Sequence, residues 1–175
     1  MRLFRREPGP PAEVIARAAL QRGERPLASA EAGDGSWLVG TRIRLVLVRP
    51  ADVVDLPWEQ VEAADWDRDS GRLRISEVGE YGRERASYSF DVEEPRLLLQ
   101  LVRERVTNSV VLQRRVVVRG RQGFSVIARR NPAGGELTWM HEYDPGVEPD
   151  DPEVARLAEA ALREAQAEVG ERPTD

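Results

Sequence analysis

Between Trp58 and Ile75 the chain reads WEQVEAADWDRDSGRLRI, and this stretch narrows its folding choices more than any other. Trp58, Val61, Ala64 and Trp66 supply apolar bulk, after which Leu73 and Ile75 alternate with Arg72 and Arg74. Apolar segments on either side of Asp69-Ser70-Gly71 predict two β-strands joined by a tight turn. Short oxygen-bearing side chains there bond their own backbone, and the glycine accepts positive φ. Two of the four tryptophans lie in this one hairpin, so a core is expected to form on it.

At 175 residues the chain is long enough to bury about 70% of its unfolded surface without a metal or a disulfide. It has no cysteine, which excludes disulfides, thiolate nucleophiles and sulfur-ligated zinc. All 26 basic residues are arginine, a bias read first as genomic composition. Without lysine there is neither a Schiff base nor the lysine of a P-loop. The start, MRLFRREPGPP, lacks the apolar core of a secretory signal, and no run of about 18 apolar residues would span a membrane. The expected location is cytoplasmic.

In order along the chain, residues 1–11 read as a mobile arm and Ala12–Arg22 as a helix stopped by Gly23. Strands are expected at Leu27–Ala30, Trp37–Val39 and Ile43–Val48, with a bend at Gly40 and a loop over Pro50–Pro57. After the central hairpin come a loop over Glu77–Arg85, a strand over Ala86–Phe90 and a strong helix signal. Asp91 or Glu94 can cap that helix, Pro95 suits its first turn, and Leu98, Leu101, Val102 and Val106 follow helical spacing. Two continuations stay open: a helix running on through Ser109, Val110 and Gln113, or a break at Thr107-Asn108 followed by a strand. Residues 115–144 predict three antiparallel strands, and Asp150-Asp151-Pro152 sets up a last helix ended by Gly170. Residues 12–113 are expected to form one body, 114–170 a βββα extension packed on the same domain, and 171–175 a tail.

Residues 27–110 resemble the bacterial PH-like domains. The resemblance is carried by four features: WLVGTRIRLVLV with its step through Thr41, Arg42, Arg44 and Leu45; the tryptophan opening LPWEQVEAADWD; the turn and strand DSGRLRI; and the apolar helix PRLLLQLVRERV. At full length the chain is similar to actinobacterial proteins with PH-like domains. The resemblance implies an α+β fold, an antiparallel β-roll or barrel with one end plugged by that helix. It implies ligand binding without catalysis and carries over no site residue. After residue 115 the chain departs from the family pattern, and the βββα extension begins.

Charge marks out the candidate chemistry. Residues 103–130 carry a net +7 in a chain whose overall charge is −5, so a local anion site is conceivable while general nucleic-acid binding is not expected. Arg114, Arg115, Arg119, Arg121, Arg129 and Arg130 form the candidate block, with Arg119 and Arg121 flanking Gly120 in a turn whose free N–H groups could grip an anion. The competing reading makes these arginines a solvated strand face paired with the acidic hairpin or the acidic last helix.

Asp65, Asp67 and Asp69 mimic a calcium loop, but Ser70 stands where glycine is required and the flanks read as strands. His141, the one histidine, has no second metal-ligating histidine, and no G-x-S-x-G elbow supplies a nucleophile. The sequence therefore predicts a non-enzymatic interaction module without a cofactor. Its expected partner is a protein or a second copy, held through a sheet edge or an exposed tryptophan face, with Trp37 and Trp139 as candidate contacts beside Trp58. The alternative is an anion-binding module using the Arg114–Arg130 block. Peripheral membrane contact is left open by the sequence without being argued by it.

Overall fold

Apolar runs buried on two faces, apolar alternation buried on one, and a leucine-rich helix account for the layers of the computed structural model, which describes residues 9–79 and 85–170. The fold is α+β, with three antiparallel sheets and three α-helices among those residues. The chain divides into two compact units. The first holds the described residues up to Val78 together with Ala86–Thr107, and the second holds Gly79, Arg85 and Asn108 onward.

The first unit begins with helix α1 (Ala12–Ala18) and a four-stranded meander of β1 (Ala28–Glu31), β2 (Trp37–Gly40), β3 (Arg44–Val48) and β4 (Val53–Pro57). A single 3₁₀ turn, Trp58–Gln60, leads into a three-stranded meander of β5 (Val61–Asp67), β6 (Arg72–Glu77) and β7 (Ser87–Asp91), and then into α2 (Arg96–Ser109). Strands β2 and β3 are buried along their whole length because both of their faces are covered. Leu38, Leu45 and Leu47 join Trp58, Leu73, Ile75, Phe90 and the α2 residues Leu98, Leu101 and Val102 in one cluster. Trp37, Val39, Val46 and Val48 face the other way, onto Val14 and Ala18 of α1. Gly40 is what lets α2 approach β2: a Cβ there would lie 2.6 Å from Leu101 Cδ2.

The central hairpin forms as β5 and β6, with Gly71 at φ 68°. The Asp67 carboxylate accepts from the Asp69 N–H at 3.0 Å and from the Ser70 hydroxyl at 2.7 Å, which closes the turn. Three sequence expectations need correction. Residues 50–57 are not all loop, because β4 pairs with β3 from Val53 to Pro57. Helix α1 stops at Ala18 instead of Arg22, since Ala19 takes the left-handed conformation at φ 44° and its N–H bonds back to the Ala16 carbonyl. The four- and three-stranded ladders are separate sheets that do not close into a barrel. The loop expected at Glu77–Arg85 lies largely outside the described residues, as do most of the N-terminal arm and the tail.

In the second unit, β8 (Val110–Arg119) begins at the residue after α2 and pairs with β9 (Gln122–Arg129), which pairs with β10 (Thr138–Tyr143). Helix α3 (Pro152–Glu168) completes the unit. Its N-cap Asp151 accepts from the Glu153 N–H at 2.8 Å, and Pro152 occupies the first turn, where a missing N–H costs nothing. Leu112, Ala128 and Trp139 line up across the sheet, as do Arg114, Val126 and His141, and Val116, Phe124 and Tyr143. Val154, Ala158, Ala161 and Ala165 of α3 cover that face. Both continuations of the α2 signal were partly correct: the helix passes Thr107, but only to Ser109, and a strand follows without a loop.

Candidate functional site

The ten residues of β8 alternate strictly between half-buried and exposed, because α3 covers only one face of its sheet. Arg114 falls on the covered face and reaches α3, pairing with Glu164 at 3.0 Å and with Glu168. Arg115 falls on the other face, where its fork holds Asp144 and also donates to the Arg121 carbonyl at 3.2 Å. That bond to Asp144 raises the Arg115 guanidinium above its usual range. The same bond, with the Gly123 N–H at 2.9 Å, holds the Asp144 carboxyl below the usual carboxylate range.

Arg129 lies in β9 and is buried. Arg130 is exposed, and its backbone N–H donates to the Ser109 carbonyl at 2.8 Å. Arg119 and Arg121 are exposed on either side of Gly120, which turns the β8–β9 hairpin at φ 59°. The structure therefore does not gather the six arginines into one cationic surface. Two are matched to carboxylates of their own unit, one is buried, and the exposed remainder is split between the hairpin tip and the far end of β9.

The tryptophans are packed more than presented. Trp58 is fully buried and donates to the Thr41 carbonyl at 3.1 Å. Trp37 is buried beneath α1, and Trp139 is half-buried in the cluster beneath α3. Trp66, opposite the exposed Asp65 and Asp67, donates to the Val92 carbonyl at 3.2 Å. His141 shares the α3 side of its sheet with Phe124 and Tyr143, at ring separations of 6.0 and 5.9 Å. Its Nε2 is buried without a hydrogen bond, so no proton donor or acceptor engages that nitrogen. Among the described residues no three His, Asp or Glu side chains are grouped to hold a metal ion.

An open cleft of about 1020 Å³ occupies one end of the first unit, lined by Glu31, Gly33, Trp37, Asp91, Glu93 and Glu94 among others. Two of its carboxylates are matched by cations, Asp91 by Arg72 at 3.2 Å and Glu94 by Arg96 at 2.8 Å. Sequence reasoning missed a more strongly built cluster at the other end of the four-stranded sheet, though a structural one. Arg44 donates to Glu24 and Asp55 and to the carbonyl of Ala19, and Thr41 donates to Glu24 at 2.7 Å. Burial pushes the Glu24 carboxyl upward, yet the bonds from Arg44, from the Gln21 N–H and from Thr41 outweigh it and hold the group below its ordinary value. This network ties the segment after α1 to the end of β3 and leaves no open coordination position.

Sequence reasoning also missed the outer edge of β8. Val111 is 45% exposed and Val117 59%, the latter the most exposed large apolar residue among those described. Val117 shares its face with Gln113 and Arg115, a spacing legible in LQRRVV once the segment is known to be a strand covered on one side, while Val111 lies at a register shift and Arg119 beyond a second one. Comparison with protein-family models, with curated proteins and with solved structures finds no match.

Proposed function

We propose that the protein is a non-enzymatic interaction module: a PH-like unit over residues 27–107 followed by a βββα unit whose strand β8 receives a protein partner. The PH-like reading is supported by the order of elements, a four-stranded meander, a three-stranded meander and then a helix packed into their shared core. One observation carries the binding role. Strand β8 is terminal in its sheet, is in regular register from Leu112 to Val117 between two register shifts, and exposes Val117 on its uncovered face, with Val111 exposed at the first shift. A terminal strand turns alternate N–H and C=O groups outward, and a long edge with exposed apolar side chains templates the addition of another strand.

Affinity capture with the full chain, from a lysate of the host at about 100 mM and about 500 mM salt, tests this reading, because phosphate contacts are strongly screened over that range. A discrete protein retained at both salts, and lost on Val111→Lys with Val117→Lys, is the expected result, since edge lysines block strand addition. Equal capture by the double variant overturns it. The anion-binding alternative draws on Arg119 and Arg121 at the hairpin tip, and would show instead as nucleic acid or lipid released at the higher salt and lost on Arg119→Ala with Arg121→Ala.

A further inference from the structure

We infer that the free edge of β1 is a second docking edge, in the first unit, and that its occupant is an extended basic segment of another protein. The segment adds antiparallel, with an arginine or lysine opposite Glu31 and an apolar side chain opposite Ala30. This goes beyond the reading of β8 and does not depend on it.

Strand β1 is terminal in the four-stranded sheet and pairs with β2 in unbroken register from Ala28 to Glu31. The Ala32 N–H donates to the Ser36 carbonyl at 2.8 Å, which sets the phase of that ladder. Counting back by two, Ala30 and Ala28 bond inward to β2, while Ser29 and Glu31 turn their N–H and C=O groups outward. Gly33, next in the outward phase, donates its N–H to the Asp91 carbonyl at 2.9 Å. The edge is therefore in use at Gly33, whereas the outward groups of Ser29 and Glu31 have no partner among the described residues. Residues 29–33 all line the cleft of about 1020 Å³, so the unpaired edge opens into it. A terminal strand with free backbone groups in a cleft receives an extended segment by main-chain hydrogen bonds.

Charge names the occupant. Four carboxylates and no basic side chain line the cleft. Asp91 is matched by Arg72 and Glu94 by Arg96, but Glu31 and Glu93 are exposed and join no ion pair among the described residues. Cross-strand partners share a face, so a side chain opposite Glu31 stands beside an uncompensated carboxylate. The side chain opposite Ala30 turns to the core face, where Ala30 and Val92, both lining the cleft, are buried. Antiparallel addition continues the pairing of every strand in this sheet.

A second copy is the poorer occupant, because β1 against β1 brings two acidic clefts together. Nucleic acid and anionic lipid are repelled by the same carboxylates.

The test titrates the full chain with short fluorescent peptides and follows hydrogen exchange of single amides. The first peptide sets Arg opposite Glu31, Val opposite Ala30 and Thr opposite Ser29. In a second and a third, Gln and Glu replace the Arg. The Arg peptide is expected to bind tightest and to protect the Ser29 and Glu31 amides. The Ala28 and Ala30 amides, already bonded to β2, should not change. Glu31→Gln should weaken binding about fivefold, the size of one cross-strand charge pair, and Glu31→Arg should make the Glu peptide the tighter ligand. Ser29→Pro removes an outward N–H without removing a bond to β2 and should also weaken binding. Glu31→Arg, a change at an exposed side chain, keeps the test decisive if Ser29→Pro fails to fold.

Equal binding of the Gln and Arg peptides overturns the inference, as does the absence of protection at Ser29 and Glu31 with every peptide. Protection of those amides that rises with chain concentration alone would assign the edge to a second copy and overturn it too. Val111→Lys with Val117→Lys should leave the affinity for the Arg peptide unchanged. A loss there would place the peptide on β8, so the β1 site would fail while the reading of β8 stands.

Discussion

The two units handle the same problem, an antiparallel sheet with apolar residues to cover, in different ways. In the first, the four-stranded sheet is covered on both faces, by α1 on one side and by the shared core of α2 and the second sheet on the other. In the second, α3 covers one face of a three-stranded sheet with a row of small residues, Ala158, Ala161 and Ala165, over the larger Phe124, Trp139 and Tyr143. Burial on two faces uses up the strands' apolar capacity and leaves little to offer a partner. Burial on one face leaves an alternating strand with Val111 and Val117 outward. In the second unit the central strand β9 is buried on both faces, Ser125, Ile127 and Arg129 included, and it is the terminal strand β8 that keeps one side exposed.

The largest expected effect breaks the two-faced core. Trp58 is fully buried, anchors the largest cluster and donates to Thr41. Trp58→Ala should destabilise the first unit by about 3–5 kcal/mol, measured by denaturant unfolding. Phe124→Ala in the second unit removes an equally buried ring, but one covered by a single helix that can settle toward the gap. It should fall at the low end, about 3 kcal/mol. Equal losses would show that covering both faces confers no extra rigidity.

A comparable but pH-dependent loss is expected from the Arg44 network. Arg44→Ala leaves the Glu24 carboxylate, 3% exposed at its side chain, without its cation and should cost about 3 kcal/mol at neutral pH. Glu24 has a folded-state pKa held below its ordinary 4.5. Its contribution is therefore present above about 4.5 and is lost as pH falls through the lower folded value. Glu24→Gln should flatten that part of the acid limb of a stability–pH profile. An unchanged slope would show that the lowered carboxylate does not couple to folding.

Much of this architecture was legible where local pattern and burial agree. The β5–β6 turn, the three strands of the second unit and the capped start of α3 each follow from side chains acting on their own backbone. Strand β4 was hidden because Pro50, Asp52, Asp55 and Pro57 signal loop, while what makes it a strand is pairing with β3. The end of α2 was ambiguous because Ser109 and Val110 satisfy helical spacing and strand propensity alike. The candidate site was less readable than the fold. Arg114 lies 50 residues from Glu164 and Arg115 lies 29 from Asp144, so no local pattern announces that those charges are already matched. Trp37 looks available until α1 is laid over it. A strand from residue 115 was expected, but the exposed side of β8 was not, because reading it depends on knowing which face α3 covers.

The finest distinction between the units is carried by two tyrosines, both with raised pKa values but for different reasons. Tyr143, in the one-sided unit, is raised by burial. Tyr88, in the first unit, is pushed up to about 12, chiefly because its hydroxyl donates to the Glu77 carboxylate at 2.7 Å, with burial second. Arg49, stacked 5.5 Å from the Tyr88 ring centre, opposes the rise only weakly. A tyrosine raised on folding stabilises the folded state fully below its unfolded value of about 10, and that contribution disappears as pH climbs to about 12. Glu77→Gln should therefore bring one phenol of the ultraviolet titration down toward 10 and leave the Tyr143 phenol where it was. A common shift of both would mean that the carboxylate is not the cause at Tyr88, and that the two units raise their tyrosines by the same burial.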